Sequence, residues 1–413
     1  MKARIMMLST ALSGGGAEQV TRSLAENLPD SICVVFENSQ RIIPTSYRLL
    51  SLPHRVYRKK SAKLAFNLLR LICIQGLKLF YRPDVTISHL EGPNFANMLT
   101  LGGGKRVIVV HNSVKKNYDY GTGAIDSLKI GLVRHLYRKA NGIVVVAPNI
   151  STELSKEYAV DPERIRYIAN PVDRSWIKEQ SEKRFGDWRD DLLRRPFIVN
   201  IASLTKQKNH ELMIRSFHAI SADYPDLRLL LLGKGCQEGK IRNLCAALGL
   251  AISDQSSVSE EKNARVFLLG FQSNPYPFLA RSRLFLLPSL WEGLPIAMLE
   301  AMTLGKPLIV SDCSPTIRQI LISEDSKIFE DLSLPKEGLT GQCGYLMPLF
   351  EKPEDPDTIA AWAQAVRTLL DNPILQRKFE GNAITLSKQY DIVNTMHCWR
   401  EMVTQMTKKD VAI

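Results

Sequence analysis

Residues 283–304 read RLFLLPSLWEGLPIAMLEAMTL: an apolar run, a polar turn and a second apolar segment at helical spacing. Arg283 to Pro288 has the length and composition of a buried strand and Ser289 to Gly293 that of a loop, while Pro295 suits the first position of a helix, where a missing N–H costs nothing. A strand entering a helix through a short loop is the repeating unit of a parallel α/β sheet, which binds ligands at its strand C-termini. Glu292 stands at the helix mouth and Glu300 about two turns on, on roughly the same side at 3.6 residues per turn. The amides of Gly293 and Leu294, unpaired at a helix start, can meet an anion such as a diphosphate. One carboxylate can then hold hydroxyls near a reacting centre and the other those further along. For an isolated pair the plainer reading, a helix-start acid and a solvated one, is the stronger.

Working outward, the same β/α alternation fills the chain. Apolar runs at 4–10, 31–37, 48–52, 84–90, 106–112, 142–147 and 164–169 are separated mostly by segments of helical period. The pattern restarts at 197–204 and continues through 227–233, 266–270, 284–288 and 308–311. Two Rossmann-like domains are expected, facing each other across the ligand cleft, and 413 residues suffice for two cores. Their border falls at the turn Asn170, Pro171, Val172, Asp173, giving domains at 1–170 and 171–390. Residues 323–343 read as a looser surface segment, and helices are expected at 356–371, 374–389 and 391–407.

The seven cysteines are scattered and never spaced C-x-x-C, against a disulfide framework or a zinc ribbon and in favour of a reducing cytoplasm. The first 13 residues imitate a secretory signal, but the apolar run is short and a glycine loop follows it. No stretch reaches the eighteen or more apolar residues of a membrane span.

The net charge of +12 belongs wholly to the first half: residues 1–170 carry 24 Lys and Arg against 12 Asp and Glu, and the remainder 30 against 30. Between Glu37 and Asp84 ten basic residues occur and no acidic one. From Lys63 to Arg82 a polar stripe that includes Lys63, Arg70 and Lys78 runs at helical spacing through apolar residues. This predicts a basic amphipathic helix on an anionic membrane, each basic side chain contributing about 1 kcal/mol near the surface. Arg55, Arg58, Lys59 and Lys60 extend the patch. A helix whose apolar side is ordinary core is the alternative; nucleic acid is not expected, since no binding motif accompanies the charge.

Three further groups follow predicted strands, where ligands of a parallel sheet are met. The glycines of SGGGAE, Gly15 and Gly16 among them, let the backbone approach a ligand with its amides free, although a tight turn explains them equally. His111 ends the strand RVIVVHN, and His89, followed by Glu91 and Gly92, ends a neighbouring one, where an acceptor contact is conceivable. Lys208 lies in IASLTKQKNHEL, which by itself reads as a loop with an exposed lysine.

Together these segments resemble the family-4 retaining glycosyltransferases of the GT-B fold. The E-x7-E signature appears as S-L-W-E-G-L-P-I-A-M-L-E-A-M, N-P-V-D resembles the interdomain linker, and V-I-V-V-H-N carries the histidine placed beside the donor sugar. The resemblance implies transfer of a hexosyl or N-acetylhexosaminyl unit from a nucleotide diphosphate sugar, UDP before GDP, to a lipid-linked glycan acceptor at the inner face of the cytoplasmic membrane, with no cofactor and no metal. It gives Glu292 the donor-sugar hydroxyls, Glu300 the ribose, His111 the other side of the sugar, Lys208 the diphosphate, and Phe271 and Gln272 the border of the base. It also implies that the last helix, 391–413, crosses back to the first domain. Two departures stand out: Ser203 occupies the place of the usual phosphate-binding arginine, for which Ser203 itself or Lys206 can substitute, and Thr316 and Gln319 replace the usual glycine and acid of G-P-x-E. A non-catalytic scaffold that binds sugar nucleotide or lipid, and a nucleotide-sugar epimerase, are the alternatives.

Overall fold

The computed structural model describes residues 4–12, 14–28, 30–37, 47–53, 60–119, 124–254, 263–322, 333–350 and 352–407. They pack as two units, one of residues 1–171 with 392–413 and one of 172–391.

In the first unit seven strands follow the predicted runs: β1 Ile5–Ser9, β2 Ser31–Val35, β3 Arg48–Ser51, β4 Val85–His89, β5 Lys105–Val110, β6 Gly142–Val145 and β7 Ile165–Tyr167. All pair in parallel, in the order β3-β2-β1-β4-β5-β6-β7. Val, Ile, Leu and Met fill the central strands because helices cover both faces of a parallel sheet. One core cluster joins Met6, Leu8, Val34 and Phe36 to Ile74 of the helix Lys60–Tyr81. Burying each such side chain contributes about 1.5–3 kcal/mol. The helix Ile392–Thr407 belongs to this unit: Arg166 bonds Gln405, and Arg400 reaches the carbonyl of Asn27.

In the second unit the strands are β8 Phe197–Ile201, β9 Arg228–Leu232, β10 Ile252–Asp254, β11 Val266–Gly270, β12 Leu284–Leu287, β13 Leu308–Ser311, β14 Leu339–Thr340 and β15 Gly344–Met347. Their order is β10-β11-β9-β8-β12-β13-β15-β14, parallel except for β14 against β15. Three of these were not predicted. β10 and β14 are flanked by polar residues and glycines, and β15 lies just past the segment read as loose surface. Trp362 of the helix Pro356–Asp371 and Phe379 of the helix Pro373–Ser387 close the core over β8, β9 and β12.

At the centre of each sheet the strand order reverses, between β1 and β4 in the first unit and between β8 and β12 in the second. At such a point the loops after the two central strands diverge and leave a crevice at their carboxyl ends. The singled-out residues follow those strands: Gly15 and Gly16 after β1, His89 at the end of β4, Lys208 after β8 and Glu292 after β12.

Candidate active site

At the crevice of the second unit, Lys208 Nζ donates to Glu292 Oε1, and Ser289 Oγ donates to the same oxygen at 2.7 Å. The ion pair is withdrawn from water, its side chains 16% and 5% exposed. Local sequence explains how a lysine 84 residues away arrives there. Lys206–Lys208 forms one 3-10 turn, ended by Asn209 in the left-handed region at φ 48°. Gln207 then ties that turn to the loop after β12: its carbonyl accepts from Leu290 N–H at 2.7 Å, and its side-chain Nε2 donates to the Trp291 carbonyl at 2.7 Å. Gln207 and Ser289 were not singled out from the sequence, where neighbouring the motif residues was their only signal.

A glycine turn supports the same region from the side. Gly233, at φ 154°, comes so close to the end of β8 that a Cβ there would lie 1.8 Å from the Ala202 carbonyl oxygen. Backbone bonds from Ala202 N–H to Leu232 O and from Leu204 N–H to Lys234 O, both 3.0 Å, hold the loop leading to Lys208. Ser203 and Lys206 in that loop are exposed.

Glu300 lies within the helix Ile296–Thr303, buried, and accepts a hydrogen bond from Tyr276 OH at 2.7 Å; Trp176 packs edge-on against that tyrosine. Pro295 caps this helix from outside and is not its first residue, so Glu292 precedes the helix altogether. The expectation that helical periodicity aligns the two glutamates is thereby corrected: each is placed by its own partners. The Gly293 carbonyl accepts from Ser314 Oγ at 3.1 Å. Gln272 is buried, with Arg189 donating to its Oε1 at 3.3 Å; Phe271 beside it is half-buried. Thr316 is buried in the helix Pro315–Ile322, which also carries Gln319 and the Arg318 paired with Asp312.

If Glu300 holds a ribose hydroxyl, Glu300→Gln is expected to weaken nucleotide affinity about tenfold, the value of one charge-assisted hydrogen bond, and Tyr276→Phe less. Titration calorimetry with both variants checks this.

In the first unit the glycine loop differs from expectation. The amides of Gly14 and Gly15 are not free: both donate to Glu18 Oε2, at 3.0 and 3.2 Å, as the helix Gly16–Asn27 begins. A carboxylate already occupies the place offered to an anion. The signal was an acid at the third helical position, the reciprocal half of a capping box. Ser13 lies outside the described residues.

His89 and His111 meet through Nδ1 and Nε2 at 3.1 Å, and Tyr118 OH donates to Glu91 Oε2 at 2.6 Å. Desolvation pushes the His111 pKa down to about 4 and that of His89, with His111 beside it, well below the usual range. In the second unit burial, with Lys208 nearby, does the same to His210, also to about 4. Between pH 6.5 and 4 these rings therefore bind fewer protons folded than unfolded, so stability falls as pH drops through that window. A melting temperature that declines steadily from pH 6.5 to 4 is expected, with a shallower decline for His210→Gln.

The basic helix requires a larger correction. Lys78 is only 1% exposed, and its Nζ donates to the Asn97 carbonyl and Oδ1, both at 2.9 Å, so it does not contact a membrane. Desolvation, with Arg106 nearby, lowers its pKa to about 7. Arg70 is half-buried and donates to the Phe36 carbonyl, and Gln75 exchanges two hydrogen bonds with the Leu101 backbone. These members of the polar stripe bind the helix to its own domain. Ala65, Leu68, Leu69, Ile72, Gly76, Leu79 and Phe80 face outward instead, with Ile72 67% and Phe80 78% exposed. Arg55, Arg58 and Lys59 lie outside the described residues, as do the side chains of Lys60 and Lys63. Among the described residues no helix is long and apolar enough to cross a membrane, and no cluster of three or more His, Cys, Asp or Glu could hold a metal ion.

The two Rossmann-like domains, with Lys208 paired to Glu292 and Glu300 on the helix that follows, agree with what comparison with known proteins shows. Residues 14–176 match the family described as Glycosyltransferase Family 4, and residues 187–337 that described as Glycosyl transferases group 1. The chain belongs to the family-4-type glycosyltransferases of the GT-B fold. It is 23% identical over 395 residues, 93% of this chain and 94% of the relative, to the N-acetylgalactosamine-N,N'-diacetylbacillosaminyl-diphospho-undecaprenol 4-alpha-N-acetylgalactosaminyltransferase of Campylobacter jejuni. It is 33% identical over 168 residues, 38% of this chain and 39% of the relative, to the UDP-Gal:alpha-D-GlcNAc-diphosphoundecaprenol alpha-1,3-galactosyltransferase of Escherichia coli. Anabaena HepE, crystallised with UDP and glucose, shares the fold at TM-score 0.71 and 14% identity, over 97% of this chain and 99% of that one.

Proposed function

We propose that this glycosyltransferase moves a hexosyl or N-acetylhexosaminyl unit, with retention, from a UDP-sugar to a lipid-linked glycan at the inner face of the cytoplasmic membrane, in cell-surface polysaccharide synthesis. The observation that carries the reading is the secluded Lys208–Glu292 pair at the β8/β12 crevice, with Glu300 on the helix that follows. Lys208 offers positive charge to the leaving diphosphate, Glu292 accepts hydrogen bonds from donor-sugar hydroxyls, and Glu300 from the ribose. Charge developing on the phosphate is met by a cation already in place, which is where such stabilisation is largest. With Lys208 in that role, transfer needs no divalent ion. In the step itself the bond from the sugar C1 to the diphosphate oxygen breaks, the acceptor oxygen bonds to C1 on the same face, and the acceptor proton passes to the departing phosphate.

UDP is favoured by the Escherichia relative, named for UDP-Gal, and by the UDP-bound Anabaena protein, and the lipid-linked acceptor by the undecaprenol-diphosphate substrates for which the Campylobacter and Escherichia relatives are named. A membrane partner is favoured by the outward apolar face of the helix Lys60–Tyr81, a contiguous stripe of the kind that marks an interaction surface. Ile72→Glu and Phe80→Glu are expected to cut flotation with anionic vesicles at least tenfold without changing UDP affinity; equal flotation removes this face from membrane contact.

The test of the reaction is donor turnover with and without an undecaprenyl-diphosphate-linked sugar. UDP release that depends on the acceptor, with a new glycosidic bond retaining the donor's anomeric configuration, supports transfer. Donor conversion without an acceptor makes the protein an epimerase, and no conversion with intact binding makes it a scaffold.

A further inference from the structure

His89 and His111 sit at the ends of adjacent parallel strands, and the 3.1 Å contact between His89 Nδ1 and His111 Nε2 requires one of those nitrogens to carry the hydrogen. With both rings neutral near pH 7, only two linked arrangements exist. Either His89 is protonated on Nδ1 and His111 on Nδ1, or His111 is protonated on Nε2 and His89 on Nε2. The distal nitrogen of His89 decides between them, because His89 is fully buried and its Nε2 has no hydrogen-bond partner. Buried N–H groups without an acceptor are rarer in proteins than buried acceptors without a donor. The first arrangement avoids the bare N–H.

We infer that His89 is a positioning residue whose Nδ1–H, given to His111 Nε2, keeps the remaining proton of His111 on Nδ1. The half-buried His111 ring then offers a ligand an N–H donor and never an acceptor, which selects for an oxygen lone pair such as that of a sugar hydroxyl or a phosphate. The surroundings hold the pair firmly. Asn94, on the helix Glu91–Leu99, donates at 3.0 Å to the carbonyl of Val109, the β5 residue in register with His89. Leu90, the joint between His89 and that helix, has φ 70° and ψ 162°, a conformation that side-chain-bearing residues avoid at about 1–3 kcal/mol and that persists only where its surroundings impose it.

The identity of the ligand rests on the proposed glycosyl transfer, but the proton position belongs to the free protein and is measured without donor or acceptor. Long-range 15N–1H correlation spectra of the histidine-15N-labelled protein are expected to show His111 protonated at Nδ1 and bare at Nε2; the reverse assignment overturns the inference whatever the enzyme's activity. His89→Asn retains a donor near the same place and is expected to keep the His111 tautomer and the turnover within a few-fold. His89→Leu removes the donor and is expected to let both tautomers appear, lowering kcat about tenfold, the value of one hydrogen bond, at unchanged nucleotide KM. Equal loss in both variants, or a KM change of the same size, reduces His89 to a structural role. Should His89→Leu fail to fold, the spectrum of the unaltered protein still decides.

Discussion

Glu292→Gln is expected to lower the transfer rate by about 10²–10³-fold, the usual consequence of removing one preorganised polar group from a reacting centre. Nucleotide affinity should hold or tighten. The amide oxygen can still accept from Ser289, so the loop after β12 keeps its shape, but Lys208 loses its anionic partner and becomes available to a diphosphate. Rate and affinity moving in opposite directions is the signature, read from steady-state turnover beside UDP titration. A variant with full turnover removes Glu292 from the mechanism.

Lys208→Met should be worse in every respect. It takes the cation from the departing phosphate and leaves Glu292, 5% exposed, as an uncompensated buried charge. Breaking a buried pair from one side costs about 3–5 kcal/mol, and the partial exposure of Lys208 favours the lower end. For a unit of this size that corresponds to a melting temperature lower by about 6–10 °C. Nucleotide affinity should fall about 10–100-fold, as for a lost hydrogen bond to a charged group. The double variant Lys208→Met/Glu292→Gln should recover much of the lost stability and none of the activity, because the unpaired charge disappears while the site stays incomplete.

The fold was legible because a parallel sheet covered on both faces writes its strands as continuous apolar runs, and those seven plus five runs became strands at nearly the predicted places. β10 and β14 were not legible because polar residues and glycines flank them, as in ISDQSS and EGLTGQ, and β15 because it borders the segment read as loose surface. The site was legible as motifs but not as contacts. The bond between the Lys206–Lys208 turn and the loop after β12 depends on Gln207, and the burial of Glu300 beside Tyr276 depends on a residue 24 positions upstream; neither pairing is encoded locally.

The helix Lys60–Tyr81 shows the limit of pattern reading. Periodicity tells which residues share a face but not which face looks outward, and here Arg70, Gln75 and Lys78 are spent on the protein's own backbone while Ile72, Leu79 and Phe80 meet the outside. The glycine loop shows the same limit at a smaller scale. Three glycines announce available amides, and Glu18, a few residues on, takes two of them.

The most direct test of the central claim is calorimetric titration of the unaltered protein with UDP, GDP and ADP, each in EDTA and in Mg²⁺. The account predicts UDP binding with a dissociation constant on the order of micromolar, typical of enzyme substrates, the same with and without the metal, and weakened about 10–100-fold in Lys208→Met. Binding that requires Mg²⁺, or no binding by any of the three nucleotides, would contradict it.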